Sequence, residues 1–196
     1  MSRNSDDGGA GGSGLTCPLV LIGLMGAGKT SVGHKLAERL NVPFRDSDYE
    51  VELAADMSVA EIFECFGEAG FRDGERRVIA RLLESGPQVL ATGGGAWMQP
   101  ATRAAIRDRA VSVWLRADLD LLVARTAGRA HRPLLNAGDP RKVLADLIET
   151  RYPVYAEADV TVESEPDLSL DAMARRIQAA VAAHARESGR TILREA

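Results

Sequence analysis

Eight consecutive residues carry the first chemistry of this chain: Gly23 Leu24 Met25 Gly26 Ala27 Gly28 Lys29 Thr30 have the spacing G-x-x-x-x-G-K-[ST]. Glycines at these positions allow a tight concave turn whose backbone N–H groups converge on phosphate oxygens. A lysine adds a point charge there, and a threonine hydroxyl offers a hard oxygen to Mg²⁺. The candidate phosphate-binding residues are Gly26, Ala27, Gly28, Lys29, Thr30 and Ser31, with Thr30 also a candidate metal ligand. Lysine is scarce, Lys35 and Lys142 being the only others, which sets Lys29 apart from generic surface charge.

A phosphate loop works with a carboxylate that helps to hold Mg²⁺, usually at the end of a neighbouring strand. The run Val89 Leu90 Ala91 Thr92 offers none, since it passes straight into Gly93 Gly94 Gly95. Asp118 comes two residues too late after the next strand and reads as the N-cap of a helix carrying Leu121 and Leu122. Asp46 and Asp48 remain. Two carboxylates two residues apart point the same way if extended, so one can serve the metal while the other meets a substrate hydroxyl. The same spacing could equally cap the next helix.

These groups need elements to hold them. Leu19 Val20 Leu21 Ile22 form an apolar run before the loop, and Val32, Leu36 and Leu40 recur four apart after it, which predicts strand, turn and amphipathic helix. The helix N-terminus then points at the anion. Further strands are expected near 43–46, 88–92, 111–115 and 159–163, alternating with helical patterns, as in an α/β fold with a parallel sheet. Ser58 and Glu61 spell a capping box ahead of Val59, Ile62, Phe63 and Phe66; after Gly67 and Gly70 a second helix carries Val78, Ile79, Leu82 and Leu83. The last helix is expected to bury Leu170, Met173, Ile177 and Val181, and Arg186 to Ala196 reads as a fraying tail.

Composition bounds the class. With 196 residues and 45% hydrophobic content the chain can bury one sizeable core. A net charge of −4 and a pI near 5.5 argue against nucleic acid as the main partner. Cys17 and Cys65 lie far apart with no CxxC and only three histidines, so neither a disulfide scaffold nor a zinc site is indicated, and a reducing cytoplasm fits. Gly9, Gly11 and Gly14 spell G-x-G-x-x-G, but ahead of the first strand, inside a polar, glycine-rich stretch that reads as a disordered tail over 1–14. Leu15 to Gly28 is too short to span a bilayer, and Asp6 and Asp7 spoil the basic start of a signal peptide, so neither export nor membrane insertion is predicted.

In order along the chain, the phosphate loop, Asp46 Ser47 Asp48, Phe71 Arg72 Asp73 Gly74 Glu75, Gly93 Gly94 Gly95, Arg132 Pro133 Leu134 Leu135, and Arg151 resemble the shikimate kinase family over roughly residues 17–165. The resemblance implies a P-loop NTPase three-layer sandwich, nucleoside-monophosphate-kinase-like, with a five-stranded parallel sheet flanked by helices. A single kinase domain would cover 15–187, with a mobile lid at about 126–139 and a C-terminal tail over 188–196. It implies transfer of the γ-phosphoryl of MgATP to the 3-hydroxyl of shikimate, in the pathway to aromatic amino acids, by a monomer.

The resemblance also assigns residues. Arg72 and Arg151 match the pair that binds the substrate carboxylate, where planar forks make paired charge-assisted hydrogen bonds, and Glu75 would hold the Arg72 guanidinium in place. Asp48 would bind the reacting hydroxyl and accept its proton, Asp46 would assist Mg²⁺, and Gly94 and Gly95 would let backbone amides approach the ring. Lid residue Arg132 would neutralise charge on the phosphates, with Arg129 a lesser lid candidate and His131 a spectator. Gly128, Pro133, Asn136 and Gly138 fit a mobile segment. Arg125 matches the position packing on adenine, the base-side loop falls near Glu163 to Asp167, and Phe63 and Phe71 would form an apolar wall. Arg151 stands just before Tyr152 and Pro153, where a helix must bend or start anew. The competing functions are a gluconate or nucleoside-monophosphate kinase, a GTP-dependent switch, for which Asn136 Ala137 Gly138 Asp139 lacks the lysine of N-K-x-D, and a bare ATPase.

Overall fold

A computed structural model describes residues 14–127 and 139–193. Five strands, β1 (Leu19–Ile22), β2 (Phe44–Asp46), β3 (Val89–Ala91), β4 (Val111–Arg116) and β5 (Val160–Glu163), form one parallel sheet in the order β2-β3-β1-β4-β5. The register pairs Leu19 with Val89 on one side and with Val111 on the other. The central strand β1 and its neighbour β3 are apolar and buried throughout, as expected of strands covered on both faces. After β1 the chain moves two places to one side, returns to fill the gap with β3, and then crosses to β4, so a crevice opens at the carboxyl ends of the strands beside β1.

The helices are α1 (Lys29–Leu40), α2 (Ser47–Ala55), α3 (Val59–Glu84), α4 (Pro100–Arg109), α5 (Leu119–Thr126), α6 (Pro140–Tyr155) and α7 (Leu170–Ser188), with a 3₁₀ turn at Ala96–Met98. Right-handed crossovers place α1 on one face of the sheet and α3, α4 and the α5–α6 pair on the other. Packing agrees: α1 lies on α7, α3 on α4, and α5 on α6. Val32, Leu36 and Leu40 are buried as their spacing requires. Among the described residues no helix is long and apolar enough to cross a membrane.

Four expectations differ from what is observed. The capping box at Ser58 and Glu61 is present, but α3 runs on through Gly67 as one kinked helix, and Phe66 beside the kink is 63% exposed. Leu170 opens α7 at its first position and is 49% exposed, whereas Met173, Ile177 and Val181 are buried. α6 continues through Pro153: the missing N–H forfeits the bond to the Glu149 carbonyl, and the helix ends two residues later at Tyr155. The stretch expected to fray from Arg186 is helical to Ser188; the chain then returns to the body, where Ile192 is buried and Leu193 bridges antiparallel to Leu15. At the other end Gly14 donates its N–H to the Leu40 carbonyl at 3.1 Å, and residues 1–13 lie outside the described ones.

Candidate active site

The phosphate loop connects β1 to α1, and its first glycine is required twice over. Gly23 has φ 147°, and a Cβ there would lie 2.7 Å from the Leu115 carbonyl oxygen on β4. Gly28 caps α1 in a left-handed conformation, with no capping side chain and no acid in the first turn. The positive end of the helix at Lys29, Thr30 and Ser31 is therefore uncompensated, which suits an anion. Lys29 Nζ donates to the carbonyls of Gly23 at 2.9 Å and Leu24 at 3.0 Å, folding its charge over the loop. Arg125 lies beside Gly28, its Nη1 3.7 Å from where a Gly28 Cβ would be. Ser164 Oγ at 2.9 Å and the Glu165 carbonyl at 3.1 Å accept from it, which joins the loop to the segment after β5.

Asp46 and Asp48 resolve into different roles, because Asp48 is not extended: it sits in the first turn of α2. Asp46 ends β2 and caps α2, its Oδ1 accepting from the Asp48 N–H at 3.1 Å while Oδ2 accepts from the Thr30 hydroxyl at 3.1 Å. A hydroxyl and a carboxylate thus meet at the loop's mouth, two hard oxygens of the kind Mg²⁺ accepts. Among the described residues no cluster of three or more metal-ligating side chains occurs, so an ion here would complete its shell with phosphate oxygens and water, as Mg²⁺ does at phosphoryl-transfer sites. The residues fit the ion. Asp118 caps α5 by accepting from the Leu121 N–H at 2.7 Å, as expected.

The triple glycine after β3 is the floor on which the other groups converge. A Cβ on Gly93 would lie 2.6 Å from Asp48 Oδ1 and 2.9 Å from Glu75 Oε1; one on Gly94, 3.1 Å from Arg151 Nη1; one on Gly95, 2.6 Å from Arg72 Cζ. Any side chain here would displace a charged group. The loop's own polar atoms are mostly engaged: the Gly93 N–H donates to Ser47 Oγ at 3.1 Å, the Gly93 and Gly95 carbonyls accept from Ala96 and Met98 at 3.1 Å each, and the Gly94 carbonyl accepts from the Tyr155 hydroxyl. Of the six backbone polar groups, only the N–H donors of Gly94 and Gly95 have no partner among the described residues, and these are the two glycines expected to approach a substrate.

Arg72 is held as expected. Its Nη1 donates to Glu75 Oε2 at 2.7 Å, and its Cζ lies 5.0 Å from the Phe71 ring centroid. Phe63 stacks on Phe71 at 4.7 Å between centroids; Phe71 is buried and Phe63 37% exposed. Glu75 is 1% exposed, and its second oxygen has no hydrogen-bond donor among the described residues. Burial holds the Glu75 carboxyl above its ordinary value, Arg72 opposing and Asp48 adding to the rise. Burial likewise raises Asp48, reinforced by the Asp46 charge and opposed by Lys29 and Arg72.

The structure therefore brings Lys29, Thr30, Asp46, Asp48, Arg72, Gly94, Gly95 and Arg151 to one crevice, with Arg125 beside Gly28 of the phosphate loop. Arg132, with Arg129, His131 and the rest of 128–138, most of the segment expected to be a lid, lies outside the described residues, whereas Thr126 ends α5 and Asp139 caps α6. Sequence reading assigned no role to Ser47 or Tyr155. Ser47 stands between two acids that drew the attention, and the signal for Tyr155 is its spacing, i+4 from Arg151 on one helix face.

A phosphate loop at the carboxyl edge of a 2-3-1-4-5 parallel sheet, facing a second cluster of acids and arginines across one crevice, defines a P-loop small-molecule kinase of the nucleoside-monophosphate-kinase-like class. A family model described as shikimate kinase matches residues 25–182, and a shikimate kinase of Paramagnetospirillum magneticum is 59% identical over 150 residues, 76% of this chain and 77% of that one. The chain belongs to the shikimate kinase family. Among solved structures, shikimate kinase from Acinetobacter baumannii in complex with shikimate superposes with a TM-score of 0.81 at 38% identity, over 86% of this chain and 94% of that one. A gluconokinase from Sinorhizobium meliloti shares the fold alone, with a TM-score of 0.59 at 20% identity over 89% of this chain and 97% of that one.

Proposed function

We propose that this chain transfers the γ-phosphoryl of MgATP to the 3-hydroxyl of shikimate, giving shikimate 3-phosphate and ADP in the pathway to aromatic amino acids. One observation carries the reading: two arginines from different helices, Arg72 on α3 and Arg151 on α6, meet neighbouring residues of one glycine loop, with Asp48 over the third. Two guanidinium forks on a site this small call for a carboxylate, and a carboxylate base beside backbone donors calls for hydroxyls. A small hydroxylated carboxylate satisfies both.

In this reading the loop amides and Lys29 hold the donor phosphates, and Arg125 packs against the adenine. Thr30 and Asp46 would hold Mg²⁺, which would supply neutralisation of the phosphate charge. Arg72 and Arg151 fix the acceptor carboxylate, Glu75 keeps Arg72 aimed, and the Gly94 and Gly95 N–H groups meet ring oxygens. Asp48 orients the reacting hydroxyl and takes its proton, and its burial makes it a stronger base than an exposed aspartate. Arg132 would stabilise the phosphoryl group in flight. The cytoplasm is the compartment this reading favours, supported by two free cysteines, and the working unit would be a monomer.

A coupled assay of ADP release with MgATP tests the reading, comparing shikimate, gluconate and nucleoside monophosphates, with Lys29→Ala as control. Shikimate-dependent turnover that disappears in Lys29→Ala is the expected result; turnover with gluconate or a nucleoside monophosphate alone would sink the substrate assignment. Arg151→Ala should raise the KM for shikimate while leaving the KM for ATP nearly unchanged.

A further inference from the structure

Tyr155 is among the largest fully buried side chains of the molecule, yet its hydroxyl reaches the acceptor site. It closes the last turn of α6, four residues after Arg151, so both side chains stand on one face of the helix. The hydroxyl donates to the Gly94 carbonyl, and the Arg151 guanidinium is its charged neighbour: Arg151 Nη1 and the Tyr155 hydroxyl lie 3.1 Å and 3.6 Å from one point, where a Gly94 Cβ would stand. A phenol has one proton. Since it is spent on Gly94, the oxygen has only lone pairs to offer the Arg151 charge, and guanidinium, hydroxyl and carbonyl form one cluster.

That cluster bears on two of the acceptor contacts at once. In a trans peptide the carbonyl and the following N–H point in opposite directions, so tying the Gly94 carbonyl to Tyr155 turns the Gly95 N–H away from α6. The same hydroxyl lies beside Arg151, whose Nη1 is 3.1 Å from where a Gly94 Cβ would stand. We infer that Tyr155 is a positioning residue for acceptor binding, acting through Arg151 and the Gly94–Gly95 peptide and not by touching the acceptor. The inference deepens the proposed reading and rests on Arg151 as a ligand of the acceptor carboxylate.

Tyr155→Phe keeps the ring that packs edge-on to Trp114 at 6.0 Å between centroids and deletes the hydroxyl alone. The matched control is Tyr152→Phe: Tyr152 lies on the same helix, and its hydroxyl also donates to a backbone carbonyl, that of Ala117, outside the glycine loop. Loss of the Gly94 hydrogen bond, and of the polar group beside the Arg151 charge, predicts a KM for shikimate raised about tenfold in Tyr155→Phe. The KM for ATP should stay within about twofold, with no such split in Tyr152→Phe. In the Arg151→Ala background, Tyr155→Phe should raise the KM by a smaller factor than in the unmodified protein, because part of what it positions is already gone. Equal effects of the two tyrosine variants on the shikimate KM, or fully multiplicative effects of Tyr155→Phe and Arg151→Ala, would overturn the inference. Should Arg151→Ala itself leave the shikimate KM unchanged, the site reading falls and this inference with it. A large Arg151→Ala effect beside a silent Tyr155→Phe removes only the latter.

Discussion

Asp48 stands under opposing influences. Burial and the Asp46 charge disfavour its ionised form, while Lys29 and Arg72 favour it, and the net result is a carboxyl above its ordinary value. In its proposed role as base it works deprotonated, so kcat/KM should fall on the acid side at a pH above that of an unperturbed aspartate, and Asp48→Asn should lower kcat by about 10²–10⁴-fold. Stability runs the other way. A folded-state value above the unfolded one means that the folded chain binds more protons in between. Ionising Asp48 therefore costs stability as pH rises, a cost absent below the unfolded-state value and complete above the folded-state one. Thermal melts should show Asp48→Asn at least as stable as the unmodified protein near neutral pH, with the difference vanishing in acid. A variant clearly less stable at neutral pH would mean that the carboxylate's contacts outweigh its burial.

Among the elements, α3 carries the most local conflict. Its capping box and apolar spacing start a helix, and a second apolar stripe ends one; Gly67 joins them at φ 66°, ψ −177°, a conformation almost exclusive to glycine. Space is not the constraint, since nothing lies within 4 Å of a Cβ built there. Gly67→Ala should cost about 1–3 kcal/mol in urea denaturation purely through the backbone. A neutral substitution would show that α3 straightens at no cost, and that the kink does not set the angle at which Arg72 and Glu75 enter the site. The same break explains why sequence reading split α3 in two: a glycine interrupts the pattern, but whether the chain turns away or continues depends on what α3 packs against.

At the scale of the whole molecule, the two ends of the described chain close on each other at the amino-terminal side of the sheet, opposite the crevice. Thr16 N–H donates to the Ile192 carbonyl at 3.0 Å, Leu15 is fully buried, and Ile192 is 1% exposed. Removing the buried Ile192 side chain leaves a cavity in the core and should cost about 2–5 kcal/mol. Because the site lies at the other end of the strands, Ile192→Ala should leave the KM values for shikimate and ATP within about twofold. A large KM change would show that this closure reaches the crevice. Nothing local marks Thr191 Ile192 Leu193 as structured, since three apolar or β-branched residues between charged ones resemble any tail; only the partner at Leu15, far away in sequence, makes burial possible.

What the sequence determined alone were features written in consecutive residues. Five strands, the phosphate loop with its helix, and the caps at Ser58 and Asp118 all depend on neighbours within a few positions, where backbone sterics and periodicity dominate; Arg72 and Arg151 stand out only through the resemblance to the shikimate kinase family. The tertiary structure decided which of those groups meet. It put Asp46 on Thr30 and Asp48 over Gly93, laid Arg72 and Arg151 on adjacent glycines, and spent the loop's polar groups until two N–H donors were left. It also brought Tyr155 into the site. Such meetings depend on how β2, β3 and β1 lie side by side and on how α3 and α6 pack against them, which no spacing along the chain encodes. The phosphate loop was legible from eight residues, and the site it faces is assembled from four elements by the packing of the core.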